Sequence, residues 1–345
     1  MKQILKVVFV IIAALIGAGF ASGQEIKEFF YKYGATGLLG LAVCSLLFVY
    51  VIYKVFKLVE TNNIESYKEF VYFLVKYKGE RKYLNVGFII NTIVNIFLII
   101  TFFIMLAGFG AYFSQEFEIS SYIGSGILAI ICFITLMTNV NGVVKINTFL
   151  IPMLILFIVI IGIVNINNID IEKVTNDLTQ FNSEGWFLNS ILYCSYNSIL
   201  LIPVLVTLKK YIDNKRISTI SLISGVILFV LAISIFGLLT RVNIDINTLE
   251  MPVVYVISQF FSKFKFIYAF IILTSIYTTA ISIGISFLDN IAKNKKNYSL
   301  IAGIMCITGF LISGLGFSNL VELLYPIFGY LGLIQIGALV VSKGT

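Results

Sequence analysis

The stretch LIGAGFASGQEI, Leu15–Ile26, decides the fold, because it admits two readings that exclude each other. It follows a charged start, Met-Lys-Gln-Ile-Leu-Lys, and an apolar run. In one reading it closes a secretory signal peptide, with Gly19 and Ala21, or Ala21 and Gly23, as the small residues of a cleavage site. In the other, a membrane-spanning helix stops being helical here. Gly17, Gly19 and Gly23 fall within seven residues, and each weakens a helix by about 1 kcal/mol relative to alanine. Glycine also lets the backbone leave helical geometry without steric cost.

Composition places the rest of the chain in lipid. Of 345 residues, 59% are hydrophobic and only 12% charged, against about 25% charged in soluble domains. No polar segment is long enough to bury a separate core, so the chain reads as a single membrane domain. Histidine is absent, which removes imidazole metal sites and histidine relays. Cys44, Cys132, Cys194 and Cys306 stand alone in apolar runs and read as small buried hydrophobes. The abundance of Ile, Asn and Lys suggests an AT-rich bacterial genome.

A bilayer core takes roughly 20 apolar residues per helix. By that ruler the sequence predicts ten spans, at 4–31, 35–57, 84–113, 121–140, 142–165, 185–210, 217–240, 264–290, 299–316 and 320–341. Lys and Arg remain on the cytoplasmic side. With the N-terminus inside, 18 of the 24 fall on inner loops and 6 on outer ones, while Glu116, Glu118, Asp170, Glu172, Asp177 and Glu184 lie outside. Both termini are therefore expected in the cytoplasm, with the chain in the bacterial inner membrane. The net charge of +7 reflects orientation and not nucleic-acid binding.

Two further segments do not span. Residues 62–80 place Ile64, Tyr67, Phe70, Val71, Leu74 and Tyr77 at helical spacing among charges, as in a helix lying in the inner interface. Residues 247–260 form a short outer segment that Pro252 is expected to break. Each follows the second span of its half. Residues 1–165 and 185–341 thus read as two five-span repeats, and an odd number of spans inserts the second upside down. Inverted repeats are a recurrent transporter architecture, with a mid-membrane site between discontinuous helices. The first span of each half should then be broken: at IGAGFASG in span one, and at YCSYNS, Tyr193–Ser198, in span six, with Pro203 beyond. Cleavage at the opening stretch would leave nine spans and put the N-terminus outside, against the charge count. The broken helix is the consistent reading.

Ten spans, a Gly-rich break in span one, a polar break in span six and an inner interfacial helix resemble the LeuT-type fold of the amino acid–polyamine–organocation transporter superfamily. Within it, GAGFASGQE is similar to the YkvI-like bacterial membrane proteins. The fold-level resemblance covers the whole chain; the close motif match is confined to span one. It implies alternating-access transport coupled to Na⁺ or H⁺.

A broken helix presents N–H groups to anions and carbonyls to cations. Backbone at Gly17, Ala18 and Gly19 and at Ser195 and Asn197 is therefore expected at the substrate, with Phe20, Tyr193 and Tyr196 as walls and Thr101 of span three lining the path. Ordinary packing, and interhelical bonding for Asn91, Asn95 and Thr101, explain these side chains too. In span eight, Thr274, Thr278 and Ser282 form a polar stripe. The resemblance implies a sodium site from two adjacent span-eight hydroxyls, Thr278 and Thr279 or alternatively Thr274 and Ser275, with span-one carbonyls at Ile16 and Gly17. Hydroxyls bonding back to the preceding turn is the competing reading. Some proton-coupled relatives place a lysine midway along span five. Here Lys145 sits at its cytoplasmic end and Pro152 inside, which favours sodium.

Glu25 follows the break directly. An ionised acid deep in a bilayer costs on the order of 2.5–3.5 kcal/mol, so three roles compete: counter-charge for a substrate amine, proton carrier, or outer gate with Lys27 or Arg241. A wet position near the surface is the fourth reading. Glu322 reads as interfacial. The sequence holds no HExxH, GxSxG or Walker loop, so no enzyme and no cofactor besides bound Na⁺ is expected. A small amino acid or amine is the expected substrate. A ligand-binding receptor subunit and an ion channel are the rival readings, and the oligomeric state stays open.

Overall fold

The computed structural model describes residues 2–74, 80–138, 141–169, 184–212, 214–292 and 295–342. The end of the predicted interfacial helix, the end of span four and the outer acids Asp170, Glu172 and Asp177 lie outside these. Among the described residues the chain is helical, without strands.

The first span is built in three pieces: α1 (Lys2–Leu15), α2 (Ala18–Ser22) and α3 (Gln24–Phe29). Then come α4 (Gly34–Thr61), α5 (Tyr67–Leu74), α6 (Glu80–Phe117), α7 (Ser121–Met137) and α8 (Asn141–Asn165). The second half holds α9 (Trp186–Thr207), α10 (Ile217–Leu239), α11 (Pro252–Phe260), α12 (Lys265–Ile291), α13 (Lys295–Ile312) and α14 (Phe317–Val341). Among the described residues, eight helical stretches are long and apolar enough to cross a bilayer, and α1 and α7 add two shorter apolar helices. At a rise of about 1.5 Å per residue, α6 is roughly 57 Å long, well beyond a hydrocarbon core of about 30 Å.

Every residue of α2 and α3 is buried. A helix apolar or enclosed all round belongs at the centre of a bundle, and Phe20, Ile26, Phe29 and Phe30 anchor it there. Around this centre, α1 packs on α9, α4 on α10, α6 on α12 and α7 on α13, while α14 lies along α9.

Span six departs from the expectation. The helix α9 runs unbroken through Tyr193–Ser198 and past Pro203. Its polar residues bond within the helix: Ser195 Oγ donates to the Ile191 carbonyl at 2.7 Å, Asn197 Nδ2 to Tyr193 at 3.0 Å and Ser198 Oγ to Cys194 at 2.7 Å. With no glycine in that stretch, the backbone has no low-cost alternative to helix, and the hydroxyls need no unwound partner. Pro252 likewise starts α11 instead of breaking it, since a proline at the first turn gives up an N–H that would be unpaired anyway. Gln115 at the end of α6 holds that start, accepting from Met251 N and donating to the Met251 carbonyl, both at 2.9 Å.

The helix α5 follows the predicted amphipathic pattern over its described length, with Phe70 and Val71 buried and Lys68 and Glu69 exposed. Glu69 accepts from Glu65 N at 2.9 Å, and this bond, followed by one with the Ser66 side chain, holds its carboxyl below the usual glutamate value. Tyr67 accepts from Gln335 of α14 at 3.1 Å, tying the helix to the bundle.

Candidate functional site

The break in span one is a gap in the backbone ladder. Regular bonding ends with Ile16 N to the Ile12 carbonyl at 2.9 Å and resumes with Ala21 N to Gly17 at 3.0 Å. Among the described residues, the carbonyls of Ala13 to Ile16 therefore receive no backbone N–H. Gly17 is extended, at φ −99° and ψ −172°, and a Cβ there would have nothing within 4 Å. Such free backbone polar groups are tolerable at membrane depth only beside a protein cavity.

That cavity is present. Ala13 and Ile16 line a volume of about 40 Å³ together with Leu150 and Leu154 of α8 and Ser275 and Thr279 of α12. A site needs roughly 10–15 Å³ of such space to hold one water, so there is room for a small ion with hydration. On α12, Thr274, Thr278, Ser282 and Ser286 each bond back to the carbonyl four residues earlier. Among the described residues Ser275 and Thr279 do not, and both line the cavity. The adjacent pair Thr278–Thr279 is thus divided, Thr278 being turned into its own helix, and Ser275 with Thr279, one turn apart, are the pair brought to Ile16.

Beyond the break, Gly23 takes a left-handed conformation, φ +84°, and separates α2 from α3. Tyr268 of α12 donates to the Ala21 carbonyl, occupying one freed acceptor. Glu25 then turns back toward the break. Its carboxylate lies against Gly19, where a side-chain Cβ would collide with it. Tyr193 Oη donates to its other oxygen at 3.1 Å, and the residue is 4% exposed. Tyr196 borders the same carboxylate, yet its hydroxyl is buried without a hydrogen bond of good geometry. Phe29 packs on Tyr193 and Tyr196 at 5.2 and 5.6 Å between ring centroids, and Tyr325 of α14 on Tyr196 at 4.8 Å.

Neither expected gate partner touches Glu25. Lys27 donates to Ser318 of α14 at 3.3 Å, beside Gln24, which also bonds Ser318. Arg241 donates to Asn165 at 3.2 Å and lies 4.0 Å over the Phe260 ring. Glu25 is buried, not wet. Phe20 is buried at the break, whereas the Ser195 carbonyl lies against Gly332 of α14. Asn197 and Thr101 bond back into their own helices. Asn95 pairs with Asn290 at 2.9 Å, Asn91 is exposed, and Glu322 is exposed at the start of α14. Ala13, Tyr268, Ser318 and Tyr325 reach the site without a sequence signal, since each is an ordinary residue brought there by packing. Among the described residues, no cluster of three Cys, Asp or Glu side chains could hold a metal.

Apolar helices of spanning length around a buried, discontinuous helix define a multi-pass helical membrane protein. Sequence similarity places it more closely. The chain is 30% identical over 348 residues to "Uncharacterized membrane protein YkvI" of Bacillus subtilis (strain 168), covering 98% of this chain and 95% of the relative. It therefore belongs to the YkvI family of membrane proteins. It is also 26% identical over 333 residues to "Uncharacterized protein YyaD" of the same organism, covering 95% and 94% of the two chains. No protein-family profile matches the chain.

Proposed function

We propose that this protein is a secondary active transporter of the LeuT type in the bacterial cytoplasmic membrane. It takes up a small amino acid or amine by alternating access, driven by a cation, with sodium favoured over protons. It is no enzyme and needs no cofactor beyond the bound cation. Both termini lie in the cytoplasm.

The observation that carries this reading is the cavity at Ile16, Ser275 and Thr279. Oxygen donors suit a hard cation, and here unbonded span-one carbonyls border two hydroxyls that their own helix leaves free. Two further features support it. Counted by the ten predicted spans, the touching pairs include α1–α9, α4–α10, α6–α12 and α7–α13, each five spans apart, as expected near the two-fold axis of an inverted repeat. Span one is interrupted beside a buried carboxylate, which is where such folds bind substrate. A continuous α9 is compatible with this, since one broken helix supplies the carbonyls.

Reconstituted vesicles test it. With sodium outside and potassium inside, labelled amino acids and amines should accumulate above the external concentration, and collapse of the gradient should release them. Equilibration without accumulation would mark a channel. Saturable binding with no uptake would mark a receptor.

A further inference from the structure

We infer that the substrate is an organic amine without a carboxylate, bound by direct pairing of its ammonium with Glu25 and with the Tyr196 hydroxyl. This rests on the transport reading above and narrows it from the wider class of amino acids and amines.

Three observations converge. First, the place beside the helix break where a substrate carboxylate would meet free N–H groups is taken by the protein's own carboxylate. Glu25 lies so close on Gly19 that no Cβ fits between them. A second carboxylate would stand against the first, and like charges in a low-dielectric site repel strongly. Second, among the described residues no cation pairs with Glu25. Its nearest basic residue in sequence, Lys27, is committed to Ser318, and Arg241 to Asn165 and Phe260. Among the described residues the ion pairs within 4.0 Å are Lys32–Glu28 and Lys265–Glu116. A buried carboxylate whose polar neighbours are neutral phenols is costly to keep charged, and a ligand ammonium supplies the missing charge.

Third, Tyr196 Oη is fully enclosed and makes no hydrogen bond of good geometry. It borders Glu25 and has lone pairs for an N–H. The surrounding rings of Phe29, Tyr193 and Tyr325 offer π faces and edges as walls, and an ammonium over an aromatic face is attracted by its quadrupole. Carboxylate, spare phenol and aromatic walls together recognise an amine, and nothing in the set neutralises an acid.

The test uses the full chain in lipid nanodiscs in sodium chloride. Its thermal unfolding is titrated with amino acids and their decarboxylated partners: alanine and ethylamine, valine and isobutylamine, lysine and cadaverine. At least one amine should raise the melting temperature at a concentration tenfold or more below that of its amino acid. Glu25→Gln and Tyr196→Phe should each weaken the amine roughly tenfold or more, the loss of a charge-assisted bond. Tyr196→Phe leaves the Tyr193–Glu25 hydrogen bond in place, so it carries the test if Glu25→Gln does not fold. Amino acids acting as well as or better than their amines in a sodium-dependent way would overturn the inference and leave the transport reading standing. Amine binding unchanged in both variants would also overturn it. Silence of the protein toward both members of every pair, with and without sodium, would overturn both.

Discussion

Gly23→Ala should destabilise the protein through two separable effects. Gly23 sits at φ +84° between α2 and α3, and an L side chain in the left-handed region costs roughly 1–2 kcal/mol. Its new Cβ would lie 2.6 Å from Val253 Cγ2 and 3.3 Å from Leu239 Cδ2. Overpacking in a well-filled core costs about 1–3 kcal/mol. The expected total is about 2–5 kcal/mol, roughly 4–10 °C in melting temperature at about 2 °C per kcal/mol. A double-mutant cycle separates the parts. Val253→Ala removes the methyl that collides, so the double variant should recover about 1–3 kcal/mol relative to the sum of the singles. The left-handed cost remains. Melting of purified protein in detergent reads both numbers. A single variant within half a degree of wild type would refute the strain argument, and strict additivity would refute the contact with Val253.

Other outcomes follow from the same geometry. Glu25→Gln should abolish uptake while the purified protein elutes and melts as a folded species; transport at the wild-type rate would refute a role for this carboxylate. Gln115→Ala removes both bonds to Met251, so amides of Val253–Phe260 should exchange with solvent faster by the equivalent of about 1–3 kcal/mol. Unchanged protection there would mean that α11 is held by its apolar contacts alone. At Glu69 the carboxyl value is lower folded than unfolded, because Glu65 N donates to the ionised form. Its contribution is therefore present above the unfolded value and lost as the pH falls through the folded one. Amides of Tyr67–Leu74 should lose protection on acidification below the ordinary glutamate value, and Glu69→Gln should remove that dependence.

What the sequence discloses here, and what it withholds, differs by kind of signal. The gap at Gly17 was legible because three close glycines have a direct backbone consequence. The supposed gap at Tyr193–Ser198 was not, because Ser and Asn in a membrane helix serve equally to fill freed backbone or to bond back four residues, and no glycine there tips the balance. On α12 the hydroxyl density was plain, yet the pattern places Thr274–Thr278–Ser282 and Ser275–Thr279 on neighbouring faces about 100° apart. Only packing against Ile16 and Leu150 decides which face meets the cavity. Glu25 was visible as a charge in an apolar stretch, while its partner Tyr193 and the adjoining Tyr325 come from other helices that no local pattern links to it. Boundaries at Pro252 misled for a related reason: a proline reads as a break or as a first turn depending on the chain before it.

A cation seated between the end of α1 and the free hydroxyls of α12 is the centre of the proposed mechanism. Equilibrium binding of radioactive sodium to the purified protein, in wild type and in Ser275→Ala, Thr279→Val and Thr278→Val, tests this without knowledge of the substrate. Saturable sodium binding should appear in wild type and weaken about tenfold or more in Ser275→Ala and Thr279→Val, each of which removes an oxygen ligand. Thr278→Val should change it by less than about threefold, because that hydroxyl is spent on its own helix. Absence of saturable sodium binding in wild type, or equal loss in all three variants, would contradict the account.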